Sequence, residues 1–228
     1  MELLKQKGII LYLLILITHC VFIYFNLGIF RFYSKLLLVP LLICLYYINQ
    51  TKSKNTIQFI LPLVALLGSF LGDLLLAFEG AQFFLLGMLG FMITHICNSI
   101  YFNSLSALKI RKAKYAVITL ILLMITCSFV VYLIKDNTGA FFVPIIVYML
   151  LIAIMAILAA NMADSPAYNY SGVHYFIPGA ILFVLSDGLL AINKFNLQDP
   201  SMDVFVMITY GLAQLYLVMG YYKVRIQN

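Results

Sequence analysis

The chain reads as an all-α, polytopic transmembrane helical bundle of about eight spans, a single integral-membrane domain over residues 1–228. Two observations predict it. Of the 228 residues, 64% are hydrophobic and 10% are charged. The mean hydropathy is +1.06, outside the range of a soluble globular domain. The apolar residues also gather into stretches close to the roughly 20 residues that a helix needs to cross the hydrocarbon core. Short polar breaks separate them, and little chain is left for a soluble domain.

The spans are expected at 8–29, 34–50, 57–78, 82–103, 114–134, 140–161, 174–193 and 203–222. The first is long, has no small-residue cleavage site and is followed by more spans, so it reads as retained rather than as a signal peptide. The second and sixth open on similar dipeptides, Val39-Pro40 and Val143-Pro144. The third carries Ser69 and Asp73 four apart on one face, beside Gly68 and Gly72, a spacing that lets a neighbouring helix approach closely. The fourth places His95, Asn98 and Ser99 on one face. The fifth is nearly all apolar. In the sixth, Tyr148 stands alone in a Leu/Ile/Met run. The seventh carries Ser186-Asp187 and closes on Asn193-Lys194, and the eighth puts Tyr210 and Gln214 on one face.

An even number of spans puts both termini on one side. Lys5, Lys7, Lys52, Lys54, Lys109, Arg111, Lys112, Lys114, Lys223 and Arg225 fall there, 10 of the 14 Lys and Arg. Arg31, Lys35, Lys135 and Lys194 fall on the other. Positive charge stays inside, so both termini are expected in the cytoplasm, across a bacterial inner membrane. The net charge of +6 then reflects topology and attraction to anionic headgroups rather than nucleic-acid binding. Four cysteines without CxxC spacing read as reduced thiols inside spans. With no Trp, anchoring at the interface falls to 16 Tyr and to Lys and Arg.

The two acids carry the most information. LGDLLLAF (71–78) and LSDGLLAI (185–192) are near-copies, and each places a carboxylate inside an apolar span. An ionised carboxylate in hydrocarbon costs several kcal/mol, so such residues face polar cavities and serve function. Aligned at an offset of 114, the copies also match at Leu71/Leu185, Leu75/Leu189, Leu76/Leu190 and Ala77/Ala191. At 115, Met92-Ile93-Thr94 matches Met207-Ile208-Thr209, and His95 falls opposite Tyr210. Residues 1–112 and 113–228 therefore read as a parallel 4+4 internal repeat, with Asp73 and Asp187 at one depth in one shared site. Lone Ser and Tyr hydroxyls in such helices ordinarily satisfy local backbone, and a lone His commonly bridges helices. His19 and His174 carry little signal.

Some motifs are missing. There is no GxSxG, HExxH, GxxxxGK[ST] or GxGxxG, and the three His have no metal-ligand spacing. No metal and no cofactor are expected. Any chemistry must use carboxylates, His, Tyr and water.

Several segments resemble the YhhN-type, lysoplasmalogenase-like family of multi-span membrane proteins: LGSFLGDLLLAF (67–78), MLGFMITHICNSIYF (88–102), VPIIVYMLL (143–151), GAILFVLSDGLLAINKF (179–195) and VMITYGLAQLYLVMG (206–220). They come in the family's order and cover most of the chain from the third helix onward. Two positions depart from the family pattern. Lys35 is followed by Leu36 rather than Pro, and Asn98 stands where the family often carries Tyr. The resemblance implies hydrolysis of the vinyl-ether bond of lysoplasmalogens, giving a fatty aldehyde and a glycerophospho-headgroup.

That chemistry suits the residues. It opens with proton transfer to carbon and an oxocarbenium ion, as in glycoside hydrolysis, where two carboxyl groups divide the work. Asp73 and Asp187 are the candidate catalytic pair. Ser69, His95, Asn98, Tyr148, Ser186, Tyr210 and Gln214 are candidates to line the site. Lys35 and Lys194 are candidates for the lipid phosphate. The expected partners are a lysophospholipid and the bilayer. Two other classes fit part of the pattern: a proton-coupled transporter, which also uses repeats and intramembrane acids, and a non-catalytic lipid-binding protein. Against the transporter, the chain is short and its helices show no midplane Gly/Pro break.

Overall fold

The structure, a computed structural model, describes residues 2–50, 56–108 and 113–227. Among them are α1 (Glu2–Tyr24), α2 (Gly28–Gln50), α3 (Thr56–Leu76), α4 (Ala81–Leu105), α5 (Lys114–Ile134), α6 (Phe142–Asp164), α7 (Asn169–Leu197) and α8 (Met202–Gln227). All eight contain a stretch long and apolar enough to cross a membrane. A single 3-10 turn, Gly139–Phe141, leads into α6.

The first turn departs from the sequence expectation. The chain leaves α1 at Tyr24 rather than near 29, and α2 starts at Gly28 rather than 34. Asn26 makes the reversal with φ 52°, a left-handed conformation that Asn tolerates better than most residues. The residues on both sides are apolar, so hydropathy could not see the break. The earlier start places Pro40 deep inside α2, and Pro62 lies inside α3. Neither proline ends its helix. The other irregularities are in α7, which widens into π turns at Gly172–Phe176 and Asn193–Leu197. Such turns often mark functional sites.

Small residues set the tightest crossing. A Cβ on Gly90 of α4 would lie 2.7 Å from the Gly72 nitrogen and 2.9 Å from the Gly68 oxygen of α3. With no side chain there, the two backbones touch and hold Asp73 in place. Elsewhere α1 packs on α2 and α5 on α6, while α7 packs on α8. Helix α2 lies against α3 and α8, and α6 lies against α7 and α4. Half of the α8 span is buried against 17% for α5, so α8 is the bundle's inner helix and α5 its most lipid-facing one. Buried aromatics fill the interior, among them Tyr46, Phe102, Phe176, Phe183 and Tyr221.

The α1 start, the α2 end and the α8 end meet at one end of the bundle. Gly8 lies against Leu45, and the Tyr46 and Tyr221 rings stand 6.0 Å apart. Of the basic residues behind the expected orientation, Lys52, Lys54, Lys109, Arg111 and Lys112 lie outside the described residues. The four cysteines are free thiols, and Cys44 is exposed on the outer surface rather than buried.

Candidate active site

At the end opposite the termini, a cavity of about 250 Å³ opens between α2, α3, α4, α7 and α8. Both predicted acids face it. Asp73, three residues before the end of α3, is 3% exposed. Asp187 lies on α7, and its side chain is 15% exposed. Lys35, Ser186, Lys194 and Tyr210 share the wall. The matched motifs do bring two carboxyls to one polar space, as the desolvation argument requires.

Their partners differ. Asp73 accepts a hydrogen bond from the Tyr210 hydroxyl at 2.6 Å, and Lys35 Nζ stands 3.4 Å from its other oxygen. That is a donor set built for an anion. Asp187 has no Lys or Arg partner among the described residues. It accepts the Tyr148 hydroxyl at 2.5 Å. Tyr148 spends its one proton there, so at 3.0 Å it accepts from His95 Nε2. His95 Nε2 itself stands 3.6 Å from Asp187, beyond hydrogen-bond reach. The His95 ring is fully buried, edge-on to Tyr148 and Phe183, and its Nδ1 meets no partner among the described residues. This leaves a short chain, His95–Tyr148–Asp187, along which a proton can move in either direction.

One turn deeper, a second chain of hydroxyls ties the helices together. Thr94 donates to the Ala65 carbonyl at 2.8 Å, so Ser69 donates to Thr94 at 3.0 Å, and Gln214 donates to Ser69 at 2.8 Å. Ser69 and Gln214 thus lie behind Asp73 rather than on the cavity wall. Tyr12 donates to the Gly211 carbonyl at 2.8 Å, anchoring α8 beside Tyr210. His19 is buried and donates to Ser34 at 2.8 Å, next to Lys35. Asn98 does not reach the cavity; it accepts the Tyr221 hydroxyl at 2.7 Å, deeper in the bundle.

The mouth carries both signs of charge and is closed by polar ties that the sequence reading missed. Arg31 donates to Asp203 at 2.7 Å, and Asn193 donates to the other Asp203 oxygen at 3.0 Å. Asn193 also accepts the Asp199 amide, and Asp199 caps Ser201. Those Ser201 hydrogen bonds hold the Asp199 carboxyl below the usual carboxylate range. Lys194 lies 4.6 Å above the Phe84 ring, a cation–π contact that leaves its ammonium at the opening. A signal for Arg31 was present. It sits four residues before Lys35, so both occupy one face of α2.

Asp187 has a second aspect. It also heads an apolar pocket of about 70 Å³ whose walls include Phe84, Tyr148, Val130, Thr126 and Gly188. The two spaces meet at Leu76, Phe84, Phe91, Asp187 and Leu190. Asp187 therefore stands at the border between a polar chamber and a hydrocarbon one, while Asp73 faces the polar chamber.

The family model of the YhhN family matches residues 30–221, and the chain belongs to that family. A curated relative, lysoplasmalogenase TMEM86A of Bos taurus, is 29% identical over 161 residues, which cover 69% of this chain and 63% of the relative. The match thus spans somewhat less than two thirds of the relative's length. No solved structure matches.

Proposed function

We propose that this YhhN-family protein is a membrane-embedded hydrolase that cleaves the vinyl ether of lysoplasmalogens, with Asp187 as the acid and Asp73 as the carboxylate that guides water. The observation that carries the reading is two carboxyls on one cavity with unlike partners. Lys35 and Tyr210 serve an anion at Asp73. Asp187 accepts the Tyr148 hydroxyl, with His95 behind it and no Lys or Arg partner among the described residues. The relative's name supports the reaction class.

The order of bonds follows. A vinyl ether takes a proton on the double-bond carbon farther from oxygen, which is the chain side. Asp187, at the border with the hydrocarbon pocket, donates it, and positive charge develops on the carbon next to oxygen. Asp73 stabilises that cation and takes a proton from the water that adds there. The product is a hemiacetal. Its C–O bond to glycerol breaks as Asp73 returns the proton to the departing oxygen. The hemiacetal hydroxyl gives its proton back to Asp187, and the aldehyde forms. Both acids end as they began, with one water consumed. His95 and Tyr148 orient Asp187 and buffer its proton. Lys194, with no acidic partner among the described residues, stands at the mouth with Arg31, held by Asp203, and Lys35, held by Asp73, where a lipid phosphate would lie.

Orientation with both termini in the cytoplasm of a bacterial cell, and a parallel 4+4 repeat, belong to the same proposal. The repeat has support in the pairing of helices and in the site. His95 and Tyr210, matched in register, each approach the acid of the other half.

The test is aldehyde release from lysoplasmenyl lipid by the purified protein in detergent. Turnover that disappears in Asp187→Asn and Asp73→Asn supports the reading. A parent protein that releases no aldehyde but moves protons or solute in liposomes overturns it in favour of a transporter.

A further inference from the structure

We propose that the groove between α5, α6 and α7 is a binding site for a single alkyl chain, entered at Asp187 and running away from the polar cavity. The proposal deepens the hydrolase reading and takes its polar half from it.

The geometry begins at the border described above. Below Asp187, the pocket of about 70 Å³ shares Thr126 and Val184 with a second one of about 200 Å³. The second is walled by Leu122, Ala156, Ala160, Ala180 and Ile181 and reaches Ile177. From Asp187 to Ile177 is ten residues of α7, roughly 15 Å at 1.5 Å per residue. Along that length the chemistry is hydrocarbon. Thr126 turns its hydroxyl back to the Leu122 carbonyl at 2.9 Å, so it offers a ligand no free proton. The alanines of α6 and α7 make the floor shallow enough for a chain to lie in it. Thr119 is the other hydroxyl on the wall of the second pocket, and no charged or amide side chain lines it; a long slot of that make-up takes alkane.

Continuity decides the occupant. In a one-tailed vinyl-ether lipid, the reactive bond is the junction of polar end and chain. Of the five residues that both chambers share, Asp187 is the one with an ionisable side chain, so a lipid with its phosphate among Arg31, Lys35 and Lys194 and its chain in this groove would present that bond to the carboxyl. The other large apolar groove, about 460 Å³ beside Leu13, Cys20 and Ile208, shares no residue with the cavity wall. A chain lying there would have no wall in common with the chamber that holds the acids.

Cys127 lines the upper part of the groove and serves as the reporter. The background is Cys20→Ala, Cys44→Ala and Cys97→Ala, and the probe is N-phenylmaleimide. A long-chain saturated alkyl-ether lysophospholipid, which has no double bond to protonate, should slow labelling of Cys127 about tenfold at ten times its Kd, since the free fraction falls in that proportion. The glycerophospho headgroup without a chain should leave the rate unchanged. Thr126→Phe, a half-exposed position at the waist between the two pockets, should abolish protection by the long-chain lipid and keep it for a short-chain one. Equal protection by a two-tailed phospholipid would make the groove an ordinary lipid-contact surface and overturn the proposal. So would rapid labelling of Cys127 under saturating lysolipid in a protein that releases aldehyde. Protection without any aldehyde release would instead sink the hydrolase reading and leave the chain site standing.

Discussion

Tyr148→Phe isolates the one hydroxyl that links the buried histidine to an acid. Phe keeps the ring edge-on to His95, 5.3 Å between centroids, and removes the oxygen between His95 Nε2 and Asp187 Oδ2. The direct separation is 3.6 Å, so the histidine cannot take over the bond without moving. A hydrogen bond to a charged or charge-forming group is worth about 1.5–3 kcal/mol, which corresponds to about 10- to 150-fold in rate. The substitution should therefore lower kcat by about that factor and leave KM nearly unchanged, because Tyr148 faces the reacting end rather than the headgroup. Aldehyde release over a range of lysoplasmenyl lipid concentrations measures both, and a thermal melt checks folding. An unchanged kcat would show that the His95–Tyr148 chain does not matter to the acid. A loss as deep as that of Asp187→Asn would show that Tyr148, and not Asp187, delivers the proton.

Asp73→Asn and Asp187→Asn should each reduce turnover by at least about 10²–10⁴-fold, the usual weight of a positioned acid or base, with the loss in kcat rather than in KM. Near-parent rates in both would end the two-carboxyl mechanism. Gln214→Ala should be milder, since Gln214 bonds Ser69 and the Tyr210 side chain rather than Asp73 itself. Gly90→Val should destabilise by about 1–3 kcal/mol, because its Cβ would strike backbone rather than a movable side chain; a melting temperature equal to the parent's would refute the close-crossing argument. Reporter fusions at the two termini should report one compartment, the cytoplasm, and opposite compartments would refute the even-span reading.

Most of the fold was legible because the physics that sets it is local. Hydrophobic runs of fixed length mark spans whatever their neighbours do. The errors came where local signal is silent. Asn26 reverses the chain between two apolar stretches, so hydropathy merged its flanks. The π turns of α7 leave no trace in composition either. Gly68 and Gly72 did announce a close crossing, but only the structure shows Gly90 as the partner surface.

The site divides along the same line. Asp73 and Asp187 stand out because a carboxylate in hydrocarbon needs a reason, and that argument requires no neighbour. Their roles do need neighbours. The two motifs are near-copies, and nothing within them distinguishes an acid from a carboxylate. The distinction comes from other helices. Lys35 reaches Asp73 from α2, and Tyr210 reaches it from α8. Tyr148 reaches Asp187 from α6, backed by His95 on α4. In the proposed repeat register Tyr210 falls opposite His95: Tyr210 bonds Asp73 directly, while His95 reaches Asp187 through Tyr148. A pair of identical acids on one cavity would repel each other if both ionised. Unlike partners remove that degeneracy. On the proposed reading, His95 on α4 in the register where α8 has Tyr210, together with Lys35 beside Asp73 alone, is what would let two near-copies of one motif take opposite roles in one reaction.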